Sequence, residues 1–103
     1  MHIVVFITTK NSAQAKKISR QLVKEKLIAC ANIHTIESIF EWKGSNEEGN
    51  EWVLLLKTVE ENYSDVVDRI KEMHSYDVPC ILKIPVMANA EFEGWVKKQC
   101  KEQ

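Results

Sequence analysis

Apolar residues along this chain fall into short blocks, and the phase within each block predicts an element. Residues 3–7, Ile3-Val4-Val5-Phe6-Ile7, form an unbroken β-branched and aromatic run, the pattern of a strand covered on both faces. Asn11 with Gln14 three residues on has capping-box spacing and opens a helix. In that helix Ala15, Ile18 and Leu22 recur on one side, and Lys16, Lys17, Arg20 and Lys24 turn outward. A second strand begins over residues 27–32. Beyond it Ile33 and Ile39 stand at odd positions and Ile36, Phe40 and Trp42 at even ones, which predicts a bulge or bend near Thr35. The polar tract 43–50 holds two of the three glycines and reads as the tip of a hairpin, from which residues 51–59 return as a third strand. Asn62, with Asp65 three residues on, caps a second helix whose inner face carries Tyr63, Val67, Ile70 and His74. Pro79 leads into a fourth strand over residues 80–85. Asn89 caps a last helix with Phe92, Trp95 and Val96 on one side.

The order strand, helix, strand, strand, helix, strand is the split βαβ, or ferredoxin-like, arrangement, here with a long hairpin and an extra C-terminal helix. The fold class expected is therefore α+β, one domain over residues 1–103, with two helices on one face of a four-stranded antiparallel sheet. The third strand complicates this. Trp52, Leu54 and Leu56 point one way while Val53, Leu55 and Val59 point the other, so both faces are apolar. Either the last helix wraps round to shield the second face, or another copy of the chain covers it, since an open patch of this kind invites association.

Composition narrows the function classes. The chain has 103 residues, 45% hydrophobic and 28% charged, as expected of one globular domain. Its formal net charge is −1, so neither nucleic acid nor an anionic membrane is expected as a partner. No run is long enough for a membrane span. The three cysteines, Cys30, Cys80 and Cys100, are odd in number and form no C-x-x-C pair, which suggests reduced thiols and a cytoplasmic location. A conventional enzyme is not expected. There is no Gly-rich phosphate loop, nucleophile elbow or H-E-x-x-H pair. A small hydrolase of the acylphosphatase type would want an arginine in the first strand–helix loop, which here reads Thr8-Thr9-Lys10-Asn11.

Some side chains nevertheless invite chemistry. His74 closes the second helix, where it can ligate a transition metal or simply interact with the helix's last carbonyls. Cys80, six residues on, is either a thiolate ligand for a soft ion or a buried hydrophobe at the head of a strand. Lys57 interrupts an apolar strand, and either pairs with a carboxylate such as Glu37 from the neighbouring strand or subunit, neutralises an anion, or packs its stem while the amine reaches water. Trp42, Trp52 and Trp95 can line a pocket or pack the hairpin and helix.

Four segments in register, over nearly the whole chain, resemble the CutA family of divalent-cation-tolerance proteins. They are Leu27-Ile28-Ala29-Cys30-Ala31-Asn32-Ile33; Ser38-Ile39-Phe40-Glu41-Trp42-Lys43-Gly44; residues 51–58, ending Leu56-Lys57-Thr58; and His74-Ser75-Tyr76-Asp77-Val78-Pro79. The resemblance implies a homotrimer joined through the long hairpin strands, a role in tolerance of copper or another divalent cation, no organic cofactor, and a likeness to PII signalling trimers. It adds Cys30 to His74 and Cys80 as metal candidates. Lys57, Glu37, Tyr76, Trp42 and Trp95 are the candidates for a ligand cleft. The sequence departs from the family at Phe40, Ser75 and Cys80, where tyrosine, proline and glutamate are common. Ile7 and Met73 stand where some copper-binding members carry cysteine and histidine. Two functions follow as expectations: a trimeric metal-responsive binding protein, or a PII-like sensor of a small anionic ligand at subunit clefts.

Overall fold

The computed structural model describes residues 1–100. Its elements are β1 (His2–Thr9), α1 (Ser12–Lys24), β2 (Cys30–Trp42), β3 (Ser45–Val59), a 3-10 turn (Glu60–Asn62), α2 (Tyr63–Met73), β4 (Ile81–Val86) and α3 (Ala90–Gln99). The sheet runs β2-β3-β1-β4 and every pair is antiparallel. This is the ferredoxin-like order with an added C-terminal helix and a long β2–β3 hairpin.

The pairing register assigns each side chain to a face. Ile3, Val5 and Ile7 lie opposite Thr58, Leu56 and Leu54. This face packs on Ala15, Ile18 and Leu22 of α1 and on Val66 and Ile70 of α2. Each large aliphatic side chain so enclosed contributes about 1.5–3 kcal/mol. The inner side of α2 is set by Val66 and Ile70, with Tyr63 and Val67 only half-buried. A buried polar knot ties the loop before β2 to this core: Thr58 Oγ1 donates to the Leu27 carbonyl at 2.7 Å, and Asn62 Nδ2 donates to the same oxygen at 3.2 Å.

The other sheet face carries Val4 and Phe6 of β1, Val53, Leu55, Lys57 and Val59 of β3, and Leu82 and Ile84 of β4. α3 covers only its end, where Val96 and Cys100 pack with Ala29, Val59 and Phe92. Leu82 and Ile84 remain 50% and 41% exposed, and Phe40 and Trp42 near the hairpin's tip 47% and 42%. β1 is accordingly sealed on one face and half-covered on the other, rather than buried on both.

Three local expectations are corrected. β2 and β3 pair in one unbroken register from Cys30↔Lys57 to Trp42↔Ser45, with no bulge at Thr35. From Thr35 to Trp42 the hairpin is largely exposed on both sides, so the phase of its apolar residues reports no core. The tip is only Lys43 and Gly44, with φ of 51° and 80°, the two left-handed positions of a type I′ turn; Ser45 to Asn50 already belong to β3. Finally, Asn62 and Asn89 make no side-chain caps, whereas Asn11 does, accepting the Gln14 N–H at 2.8 Å. A 3-10 turn precedes α2 and draws Asn62 inward.

Candidate functional site

On the second sheet face, where the hairpin leaves the core, a cleft of about 280 Å³ opens between Thr8, Phe40, Trp42, Glu51, Tyr76, Val78 and Cys80. Three strands and the α2–β4 loop supply it. Antiparallel register brings Thr8 opposite Val53, two residues from Glu51 on the same face, and the even positions of β2 bring Phe40 and Trp42 to that face.

His74 fixes the loop. Its Nε2–H donates to the Thr8 carbonyl at 2.7 Å, and its Nδ1 accepts the Tyr76 N–H at 3.1 Å. The two rings lie 4.7 Å apart, tilted by 56°. Gln14 Nε2 holds the next residue, donating to Ser75 Oγ at 2.8 Å. So placed, Tyr76 donates its hydroxyl to Glu51 Oε2 at 2.8 Å. Burial, that hydrogen bond and the Glu51 charge together push the Tyr76 phenol well above its ordinary 10.0. Cys80 is exposed rather than a buried hydrophobe, yet partial desolvation in the cleft and the same carboxylate push its thiol up as well.

The predicted residues separate into different places. Tyr76, Trp42 and Cys80 meet in the cleft. Of the two readings open for His74, the one observed is a loop clamp: a carbonyl holds one ring nitrogen and an amide the other. Cys30 sits on β2 opposite Lys57, with β3 and β1 between it and β4, so about 14 Å of sheet width divides it from Cys80. Lys57 and Glu37 do not pair: Glu37 is opposite Asn50, on the other face and far up the hairpin. Trp95 lies on α3 with its ring 5.6 Å from Phe92, and Trp52 packs against the main core. Glu51 and Thr8 were missed. The available signal was Glu51 itself, an acid in phase with Val53 and Leu55 on an otherwise apolar strand face.

The cleft offers a divalent cation one carboxylate and one thiol, the latter held toward its protonated form. Among the described residues no three or more His, Cys, Asp or Glu side chains converge as a metal shell. A transition-metal site of the usual four ligands does not fit within one copy of the chain.

These features define a class: a ferredoxin-like α+β protein with a projecting hairpin, a cleft at its base and a C-terminal helix. Comparison with known proteins narrows it. The profile of the family described as CutA1 divalent ion tolerance protein matches residues 3–99. The "Divalent-cation tolerance protein CutA" of Archaeoglobus fulgidus is 39% identical over 97 residues, covering 93% of this chain and 95% of the relative. The crystal structure of CutA1 from Pyrococcus horikoshii superposes with a TM-score of 0.94 at 37% identity, covering 97% of this chain and 99% of that one. The structure of the divalent cation tolerance protein from Thermus thermophilus does so at 0.92 and 35%, covering 98% and 100%. The chain belongs to the CutA1 divalent ion tolerance family.

Proposed function

We propose that this chain acts as a cytoplasmic homotrimer in divalent-cation tolerance, binding metal ions, copper foremost, rather than turning over a substrate. One observation carries the reading: the uncovered sheet face. Leu82 and Ile84 on β4 and Phe40 and Trp42 on β2 leave apolar side chains exposed on this face, 41% to 50% each. Next to it lie the free edges of β2 and β4. Apolar surface beside unpaired strand edges is stable only when covered, and a symmetric assembly of identical chains covers both at once. Membership of a family named for divalent-ion tolerance supports the metal part. Two donors per copy, Glu51 and Cys80, fall short of a shell, so metal capture on this reading depends on assembly. The separate positions of the three free thiols suit a reducing compartment.

Sedimentation equilibrium at micromolar concentration tests the assembly. Three times the chain mass is expected for the parent, and a smaller species for the Leu82→Asp, Ile84→Asp double variant. A well-behaved monomeric parent overturns the reading. Copper(I) titration of the parent against Cys80→Ser and Glu51→Gln tests the metal part separately: affinity should fall in both variants, and unchanged affinity in both refutes it.

A further inference from the structure

At the opposite end of the same strand face lies a second cavity, of about 200 Å³, between α3 and the sheet. Its walls are apolar: Ile3 and Val4 of β1, Val86 of β4, and Phe92 and Val96 of α3. Lys57 is the cation in this wall. Its side chain is half-buried and its Nζ lies 5.6 Å from the centroid of the Phe92 ring. Among the described residues no carboxylate lies within 4 Å of that amine. The acid of the cavity, Glu93, is engaged elsewhere: its Oε2 accepts the Ala88 N–H at 3.0 Å and stands 3.8 Å from His2 Nδ1. An ammonium with no carboxylate partner beside an apolar wall can take a carboxylate through a charge-assisted hydrogen bond.

We propose that this cavity binds a small aliphatic monocarboxylate, with its carboxylate on Lys57 Nζ and its hydrocarbon tail against Phe92, Val86 and Val96. Charge and shape both limit the ligand. A lone ammonium beside Glu93 suits one negative charge, whereas a phosphate or dicarboxylate would bring a second anionic group toward that acid. The cavity is small, about 200 Å³, which favours a short hydrocarbon tail over a long one. Phe92 keeps the ammonium at the cavity when no ligand is bound, through the attraction of its ring face for a cation. This site is distinct from the Glu51–Tyr76–Cys80 cleft and does not depend on metal binding.

The test uses the intact protein with pentanoate as the probe, and with pentanol and pentylamine as controls of similar size. Calorimetry and thermal shift are run on the parent, Lys57→Met, Lys57→Arg and Ala88→Phe, the last placing a ring at the cavity lining. Pentanoate should raise the melting temperature of the parent. Its affinity should fall about ten- to a hundredfold in Lys57→Met, the loss of a charged hydrogen bond, and survive in Lys57→Arg. It should also fall in Ala88→Phe, while pentanol and pentylamine bind weakly throughout. Backbone amide shifts on titration should centre on Val86, Phe92 and Val96. Should Lys57→Met fail to fold, Ala88→Phe and the amide map decide alone. No pentanoate binding to the parent, equal binding of pentylamine, or amide shifts centred on the Tyr76 cleft would overturn the proposal.

Discussion

Replacing Tyr76 by phenylalanine removes one oxygen and leaves the ring beside His74. The hydroxyl is the donor to Glu51 at 2.8 Å. A hydrogen bond to a charged acceptor contributes about 1.5–3 kcal/mol when shielded from water. Tyr76 and Glu51 are both half-buried, so water replaces part of the lost bond, and the expected cost falls to about 1 kcal/mol. For a domain of this length that lowers the melting temperature by about 4–8 °C. The pH dependence is the sharper readout. The phenol's value is raised in the folded state above its ordinary 10.0. Its proton therefore stabilises the fold fully below about pH 10, and the contribution is lost as pH rises through the folded value. The Cys80 thiol is raised too and adds a loss of the same sign beginning near its ordinary 9.0. Thermal melts from pH 7 to 11, at fixed protein concentration because assembly couples to unfolding, should show the parent losing stability in alkali. Tyr76→Phe should lose less over that range, and the double variant with Cys80→Ser least. Phenolate absorbance should show a tyrosine that ionises only on unfolding, absent from the variant. Parent and Tyr76→Phe melting alike at every pH, with both tyrosines of the folded parent ionising near pH 10, would refute the reasoning.

Further outcomes follow from the same geometry. Asn62→Ala should cost about 2 kcal/mol in urea melts, because a fully buried amide loses its bond to Leu27, while Asn89→Ala should cost less than about 0.5 kcal/mol. Lys43→Asn should stabilise the hairpin by a few tenths of a kcal/mol, since Asn-Gly favours the type I′ turn. Gly44→Val should cost about 1–2 kcal/mol from its φ of 80° alone, as no atom crowds the site. Cys80 should react with iodoacetamide at pH 8 more slowly than an unhindered thiol, and Glu51→Gln should accelerate it severalfold by removing the charge that holds the proton.

What the sequence revealed depended on whether a residue faced a core. The apolar phase of α1 and of residues 52–56 was legible because sealed side chains must keep register. The hairpin beyond Thr35 was not, because both its faces are largely exposed and it packs on no core. Its return limb, Ser45-Asn46-Glu47-Glu48-Gly49-Asn50, is poor in strand formers, so the sequence reads as a loop where the turn at Gly44 enforces a ladder. Lys57 was recognisable as an oddity, but that Glu37 of the same chain lies on the other face was not, because registers and faces are set by pairing that one strand's sequence does not state. The cleft was half legible. Tyr76, Trp42 and Cys80 stood in suggestive segments, whereas for His74 the sequence could not name the Thr8 carbonyl, 66 residues away, as the group on its ring.

The two-residue turn at Lys43-Gly44 also orders events in time. From it, β2 and β3 can zip between near neighbours in sequence, starting at Trp42 and Ser45, on the microsecond scale of hairpins. β1 must instead find partners at least 43 residues away, paying a larger loop-closure entropy for its first contact. The exposed arm thus starts the ladder whose lower end, Trp52 to Val59 of β3, is where β1 lands, and slowing its closure should delay the whole sheet.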